Sequence, residues 1–309
     1  MNIEWHFEAV SLPLEHPFSI TRGTTRQADV GIVELDADGY TGTGACAPAE
    51  YLGDSMEAVD SAIPELGAIV ADLGSIHQLD RLEKLLQEAA PASPAARAAV
   101  STAMHDLVAQ SLELPLYRYW GLEPDQMPET TVTIGLQPLE AVQSSAARYA
   151  DAGFDRLKIK LDRDQPIETV AAVREVASDV DLFVDANGAW DEEDAVATLG
   201  RLAEYDIVLA EQPVPAGDIE ALAGVTERVP VPIVADEACE SAADIPALAD
   251  ACDGVVLKLM KCGGLREAWQ FIHTAHAHDC QVLAGCMVES SALIASGLSP
   301  RSGRRVRRS

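Results

Sequence analysis

Apolar and polar residues alternate along 2–14 and 28–36, and Asp38-Gly39 is a tight-turn signal ahead of a third alternating stretch, 40–46. This period of two predicts three antiparallel strands, with polar loops at 19–26 and 47–54. The period then lengthens to that of helices at 55–73, 76–89 and 94–112, the last entered through Ser93 as N-cap and Pro94 as first helical residue. Strands followed by helices predict an α+β capping domain over 1–125. From Thr130 the two periods alternate. Strand-like runs fall at 130–135, 155–161, 181–186, 206–211, 231–236, 254–259 and 281–287, with helical runs at 139–152, 165–178, 191–204, 217–228, 241–250 and 264–278. A βα repeat of roughly 25 residues, sustained through seven strands, predicts an α/β chain with a (β/α) barrel over 126–296. No GxGxxG or P-loop follows the first of these strands, which argues against an open nucleotide-binding sheet.

Charge then falls where a buried strand should have none. Lys158 and Lys160 alternate with Leu157, Ile159 and Leu161, so the lysines share one face. Alone, this reads as a surface strand with its lysines in water. The neighbouring runs change the picture, because five consecutive strands end in an ionisable residue: Lys160, Asp185, Glu211, Asp236 and Lys258. In a barrel, the carboxyl ends of the strands form the face where active sites are built. Carboxylates at 185, 211 and 236 on adjacent strands would repel one another and raise each other's pKa, and a hard divalent cation relieves this. Three oxygen ligands with open positions suit Mg²⁺. A desolvated lysine near such a metal can have its pKa lowered from about 10.4 toward about 7–8, within reach of base chemistry. Two lysines on opposite sides of a metal-held carboxylate could take a proton from one face of an α-carbon and return it to the other, the metal stabilising the enediolate between. The same intermediate also serves cycloisomerisation and elimination.

Composition narrows the partners. The 309 residues are 48% hydrophobic with a net charge of −28, which argues against nucleic acid and anionic membrane as partners and is compatible with a small-molecule substrate. Six cysteines without paired spacing read as reduced thiols, no secretory signal opens the chain, and no run is long enough to span a membrane, so a cytoplasmic protein is expected.

KIK at 158–160, DANGAW at 185–190, EQPVP at 211–215, ADEA at 235–238 and KLMKCGGL at 258–265 resemble the enolase superfamily, and within it the muconate-lactonizing-enzyme subgroup. The resemblance runs over about residues 1–295 and implies a modified, (β/α)7β-type TIM barrel with an N-terminal cap. It implies that Lys160 and Lys258 are opposed acid/bases, that Lys158 helps near the substrate carboxylate, and that Asp185, Glu211 and Asp236 hold Mg²⁺. The segment 285–291 is most similar to dipeptide epimerases of the L-Ala-D/L-Glu type, which serve turnover of peptidoglycan peptides. On that likeness the substrate contacts are Arg22 in the cap loop (with Arg26 competing), Thr131 on the first barrel strand, and Met287 and Glu289 after the seventh. The family also often forms homo-oligomers. o-Succinylbenzoate synthase and muconate cycloisomerase chemistry remain open alternatives, as does a homologue that has lost catalysis. The family's eighth strand carries an Asp-x-Asp pair, whereas here no acid follows Glu289, and the course departs near Ser296 into PRSGRRVRRS. The sequence therefore predicts a barrel lacking its last strand and an atypical, disordered basic tail over 297–309.

Overall fold

The computed structural model describes residues 2–127 and 129–298. Three antiparallel strands come first: β1 (Glu4–Ile20), β2 (Gly23–Ala37) and β3 (Tyr40–Cys46). The predicted turn at Asp38-Gly39 is present, with both residues at positive φ (52° and 86°), the conformation a two-residue hairpin turn demands. The loop expected at 19–26 is instead mostly strand. Ile20 pairs with Gly23, leaving Thr21 and Arg22 as the hairpin tip. Three helices follow, α1 (Met56–Ala71), α2 (Leu79–Ala89) and α3 (Pro94–Ser111), then a short α4 (Leu116–Tyr119).

Helix α3 is the mechanical centre of this half. It is buried on nearly every side, as its alanine-rich composition requires of a helix packed between layers. One side lies on β3, so close that a Cβ added at Gly44 would come within 2.0 Å of Ala99 O, and one at Gly42 within 2.2 Å of Ala103 O. Its first turn is capped from outside: Asp54 accepts from the Ala95 amide (2.9 Å) and from Ser93 Oγ (3.0 Å). Ser93 thus supports the expected start by holding the capping carboxylate.

The second half alternates strand and helix, with two successive helices before its last strand. Its elements are β4 (Val132–Ile134), α5 (Leu139–Asp151), β5 (Arg156–Lys160), α6 (Pro166–Val176), β6 (Asp181–Asp185), α7 (Glu192–Leu202), β7 (Ile207–Glu211), α8 (Ile219–Arg228), β8 (Ile233–Ala235), α9 (Ile245–Leu248), β9 (Gly254–Leu257), α10 (Leu259–Cys262), α11 (Leu265–Ala277), β10 (Gln281–Ala284) and α12 (Ser291–Leu298). All seven strands are parallel, each beside its chain neighbour, in one curled sheet ordered β10 to β4. Among the described residues, β4 and β10 each pair on one side only, so the sheet is a barrel left open between them. The run expected as a helix over 241–250 contracts to α9, and α10 takes the last residue of the run expected as strand and the connection after it. Helix α12 reaches back to pack on β3, and α3 touches α10 and α11, joining the halves. The predicted basic tail lies outside the described residues from 299 onward. Among the described residues no helix is long and apolar enough to cross a membrane. The cysteines at 46, 239, 252, 262 and 280 are buried.

Because α3 sits directly on β3, Gly44→Ala should destabilise the chain by about 1–3 kcal/mol through overpacking. Urea unfolding checks this, and an unchanged midpoint would mean that the helix does not approach the sheet so closely.

Candidate active site

Phe183, Leu209, Val234 and Val256, from four adjacent strands, form a small apolar cluster of their own, with Leu283 packed against it. This is the floor of the barrel interior. Side chains two residues apart on a strand share a face. Two residues beyond the floor stand Asp185, Glu211, Asp236 and Lys258, so the register that builds the floor also builds a charged layer above it. On β5, Lys158 pairs with Phe183 at floor level and Lys160 pairs with Asp185, which in turn pairs with Glu211. At the sheet's open edges the same level carries glycine. A Cβ at Gly285 would lie 3.1 Å from Lys258 Cε, and one at Gly135 would lie 2.8 Å from Ser19 O of the cap hairpin. Both glycines therefore leave room, one for a lysine and one for the cap.

The carboxylates of this layer are fully buried and each is gripped by ammonium groups. Lys160 Nζ donates to Asp185 Oδ2 at 2.6 Å. Lys158 Nζ bridges Asp185 Oδ2 (2.9 Å) and Glu211 Oε1 and Oε2 (2.7 and 2.8 Å). From the other side, Lys258 Nζ donates to Asp236 Oδ2 at 2.6 Å. A fourth lysine, Lys261, gives Asp236 two more bonds, to Oδ1 (2.8 Å) and to its main-chain oxygen (2.6 Å). Gln212 steadies the same loop, accepting on Oε1 from the amides of Asp236 (2.9 Å) and Ala238 (3.1 Å). Asn187 and Gln212, just past β6 and β7, adopt left-handed backbone (φ 47° and 38°), a strained conformation of the kind that clusters at functional sites.

Burial works against every one of these charges, and the pairings decide the outcome. It pushes Glu211 up to about 8, helped by Asp185 and Asp236. Asp185 goes the other way, held well below the carboxylate range by Lys158 and Lys160 despite its burial. The two carboxyls share Lys158 unequally: Asp185 keeps the charge and Glu211 holds a proton more tightly. Burial also opposes the charge of Lys158 and Lys258, but Asp185 with Glu211, and Asp236, outweigh it and raise both lysines above their ordinary range. The lowered lysine pKa expected from the sequence is therefore reversed while carboxylates alone face the ammonium groups.

The donor chemistry fits a hard divalent cation. The strand-end carboxylates supply only oxygen, and two buried acceptors beside them, Asn187 Oδ1 and Glu237 Oε2, lack a hydrogen-bond donor. Spacing does not yet match. Among the described residues no group of three or more His, Cys, Asp or Glu is gathered closely enough to hold a metal ion, since lysines stand between the carboxylates.

The cap closes over this layer through Arg22 at the tip of the first hairpin. Its guanidinium pairs with Glu237, donates to Asn187 O (3.2 Å) and lies 4.2 Å over the Tyr51 ring. Tyr51 OH reaches Met287 Sδ at 3.4 Å, and Glu289 accepts from the Met287 amide at 3.1 Å. Arg22, Met287 and Glu289 are thus strung together with Tyr51 at the rim. Arg26 is exposed on β2. Thr131 is not gathered with the others: it precedes β4, at the opposite end of the strand from the rim, while Thr133 pairs with Lys158. Sequence reasoning passed over Lys261, Glu237, Gln212 and Tyr51. Glu237 and Gln212 adjoin residues it selected, so a charged or amide neighbour at an apolar strand end was the available signal, whereas Lys261 lies three residues past Lys258 on α10.

Comparison with known proteins agrees with this architecture. Residues 141–299 match the enolase C-terminal domain-like family, and residues 2–121 match the mandelate racemase / muconate lactonizing enzyme N-terminal domain. The chain belongs to the mandelate racemase / muconate lactonizing enzyme group of the enolase superfamily. It is 37% identical to an L-Ala-D/L-Glu epimerase of Bacteroides thetaiotaomicron, over 95% of this chain and 76% of that protein. It is 38% identical to an L-Lys-D/L-Arg epimerase of Methylococcus capsulatus, over 93% of this chain and 82% of that one. Among solved structures, the dipeptide epimerase of Enterococcus faecalis V583, complexed with Mg and L-Leu-L-Tyr, superposes with a TM-score of 0.91. That pair is 33% identical over 96% of this chain and 87% of the other.

Glu289 offers a pH test at the rim. Burial pushes its carboxyl from 4.5 up to about 7, against the pull of the Met287 amide and Lys258. A raised carboxyl value means that the folded chain binds this proton more tightly than the unfolded one. Its contribution is complete below about 4.5 and is lost as pH rises through about 7, on the order of 3 kcal/mol in all. Glu289→Gln should therefore gain stability relative to the unmutated chain between pH 5 and pH 8 in urea unfolding. A gap that stays constant with pH would contradict this.

Proposed function

We propose that this chain is a Mg²⁺-dependent dipeptide epimerase that inverts the α-carbon of the second residue. One observation carries the reading: Lys160 and Lys258 enter a buried carboxylate layer from opposite sides, with β6, β7 and β8 between them. The epimerase names of relatives spanning nearly the whole chain support it. Asp185, Glu211 and Asp236 would hold the cation. Once bound, it supplies the positive charge that otherwise comes from the ammonium groups, and it acidifies a C–H next to a carboxylate.

The chain's own residues do the rest. One lysine takes the α-proton, the C–H pair passing into the adjoining carboxylate group, and the opposite lysine delivers a proton to the other face. Lys158, which bonds both Asp185 and Glu211 and lies beside Lys160, orients the substrate carboxylate. The cap tip and the rim residues Tyr51 and Met287 exclude water. Arg22 faces the second residue's side chain, and because Glu237 already holds it, an acidic side chain must compete with that pairing. Metabolically, the reading extends to a cytoplasmic enzyme acting on peptides released from peptidoglycan.

The test is proton NMR in D₂O with Mg²⁺ and a panel of dipeptides including L-Ala-L-Glu, L-Leu-L-Tyr and L-Lys-L-Arg. Deuterium should enter the α-position of the second residue of at least one, and EDTA should abolish the exchange. Lys160→Ala and Lys258→Ala should each lower epimerisation by about 10²–10⁴-fold. Exchange in none of the dipeptides, with turnover of a cycloisomerase or o-succinylbenzoate synthase substrate, would replace this reading with another of the group.

A further inference from the structure

Lys258 and Lys261 both bind Asp236, but they are not equivalent. The Lys258 side chain is 9% exposed and touches one oxygen, Oδ2, from the open side of the layer. The Lys261 side chain is 0% exposed, and its ammonium takes Oδ1 and the main-chain oxygen of the same residue. A single cation bound to both the carboxylate and the carbonyl of one residue closes a ring that fixes the side-chain torsions. Asp236 needs such a hold, because it lies one residue past β8 and the ladder hydrogen bonds no longer define its position. The helix that brings Lys261 there is short and built for this purpose: α10 turns the chain immediately after Lys258, and the Lys261 amide bonds Lys258 O at 3.0 Å. Gly263, at φ 95°, ends that turn.

We infer that Lys261 is a positioning residue for the metal ligand Asp236. It holds the carboxylate through Oδ1 and the main-chain oxygen so that Oδ2 stays directed into the layer, and it takes no part in proton transfer. This inference rests on the Mg²⁺ reading above.

The sign of one measurement separates positioning from mere charge. By Coulomb's law alone, removing a buried cation beside a metal site tightens binding of a divalent cation. If Lys261 instead holds Asp236 in place, removing it weakens binding, by the 10–100-fold typical of residues that orient metal ligands. Mg²⁺ titration calorimetry on folded Lys261→Met should therefore give a dissociation constant about 10–100-fold weaker than that of the unmutated chain, with Lys261→Gln recovering part of the loss. If the Met variant melts too low to titrate, the rise in melting temperature on adding Mg²⁺ gives the same comparison in both variants. Equal or tighter binding, or an undiminished rise, overturns the positioning role while leaving the epimerase reading intact. No Mg²⁺ binding by the unmutated chain, or binding that survives Asp185→Asn unchanged, overturns the metal reading and this one with it.

Discussion

Everything in this molecule depends on keeping several charges out of water on one level of a barrel. Asp185, Glu211, Asp236 and Glu237 are buried, and Arg22, Lys158, Lys160, Lys258 and Lys261 meet them. Buried ions are costly singly and tolerable only when paired and hydrogen-bonded. The sheet register solves part of the pairing, since Asp185, Glu211, Asp236 and Lys258 each sit two residues above an apolar floor residue and Lys160 pairs with Asp185 across the ladder. With five cations against four carboxylates, the layer has a positive excess before any metal is bound.

The cap is tied to the same balance. Its hairpin reaches the rim through one guanidinium, and that guanidinium is satisfied by barrel groups, Glu237 and Asn187 O. Gly135 lets the hairpin settle on β4, where the Leu136 amide bonds Ser19 O at 2.8 Å. The closed position of the cap is therefore an electrostatic contact with the site itself. A substrate that competes for Arg22 also acts on the closure.

The barrel was legible because charge at the end of an apolar strand is costly without a use, and five strands in succession bear it. That reasoning found Lys158, Lys160, Asp185, Glu211, Asp236 and Lys258, which the structure gathers in one layer. It did not single out Lys261, because spacing along a short helix does not reveal which ammonium is sealed. The lowered lysine pKa it expects belongs to a lysine beside a metal; with carboxylates alone on Lys158 and Lys258 the shift runs upward, because desolvation is visible in a sequence whereas the number of carboxylates on each ammonium is not. The loop at 19–26 was predicted from polarity alone, and cross-strand pairing with β2 overrode it. Thr131 rests on the likeness of a segment, and only the register with β5 reveals that it precedes β4, at the end of the strand away from the rim. Ser93 was the expected cap of α3, but Asp54, distant in sequence, does the capping.

In the proposed epimerisation, Lys160 and Lys258 address opposite faces of one carbon. Its most direct test is α-proton exchange in D₂O by Lys160→Ala and Lys258→Ala, followed separately from the LL and LD epimers of an accepted dipeptide. Each variant should retain exchange for the one epimer whose α-proton faces its remaining lysine, and the two variants should retain opposite epimers. Loss of exchange for the same epimer in both, or equal exchange of both epimers in either, would contradict the two-sided site.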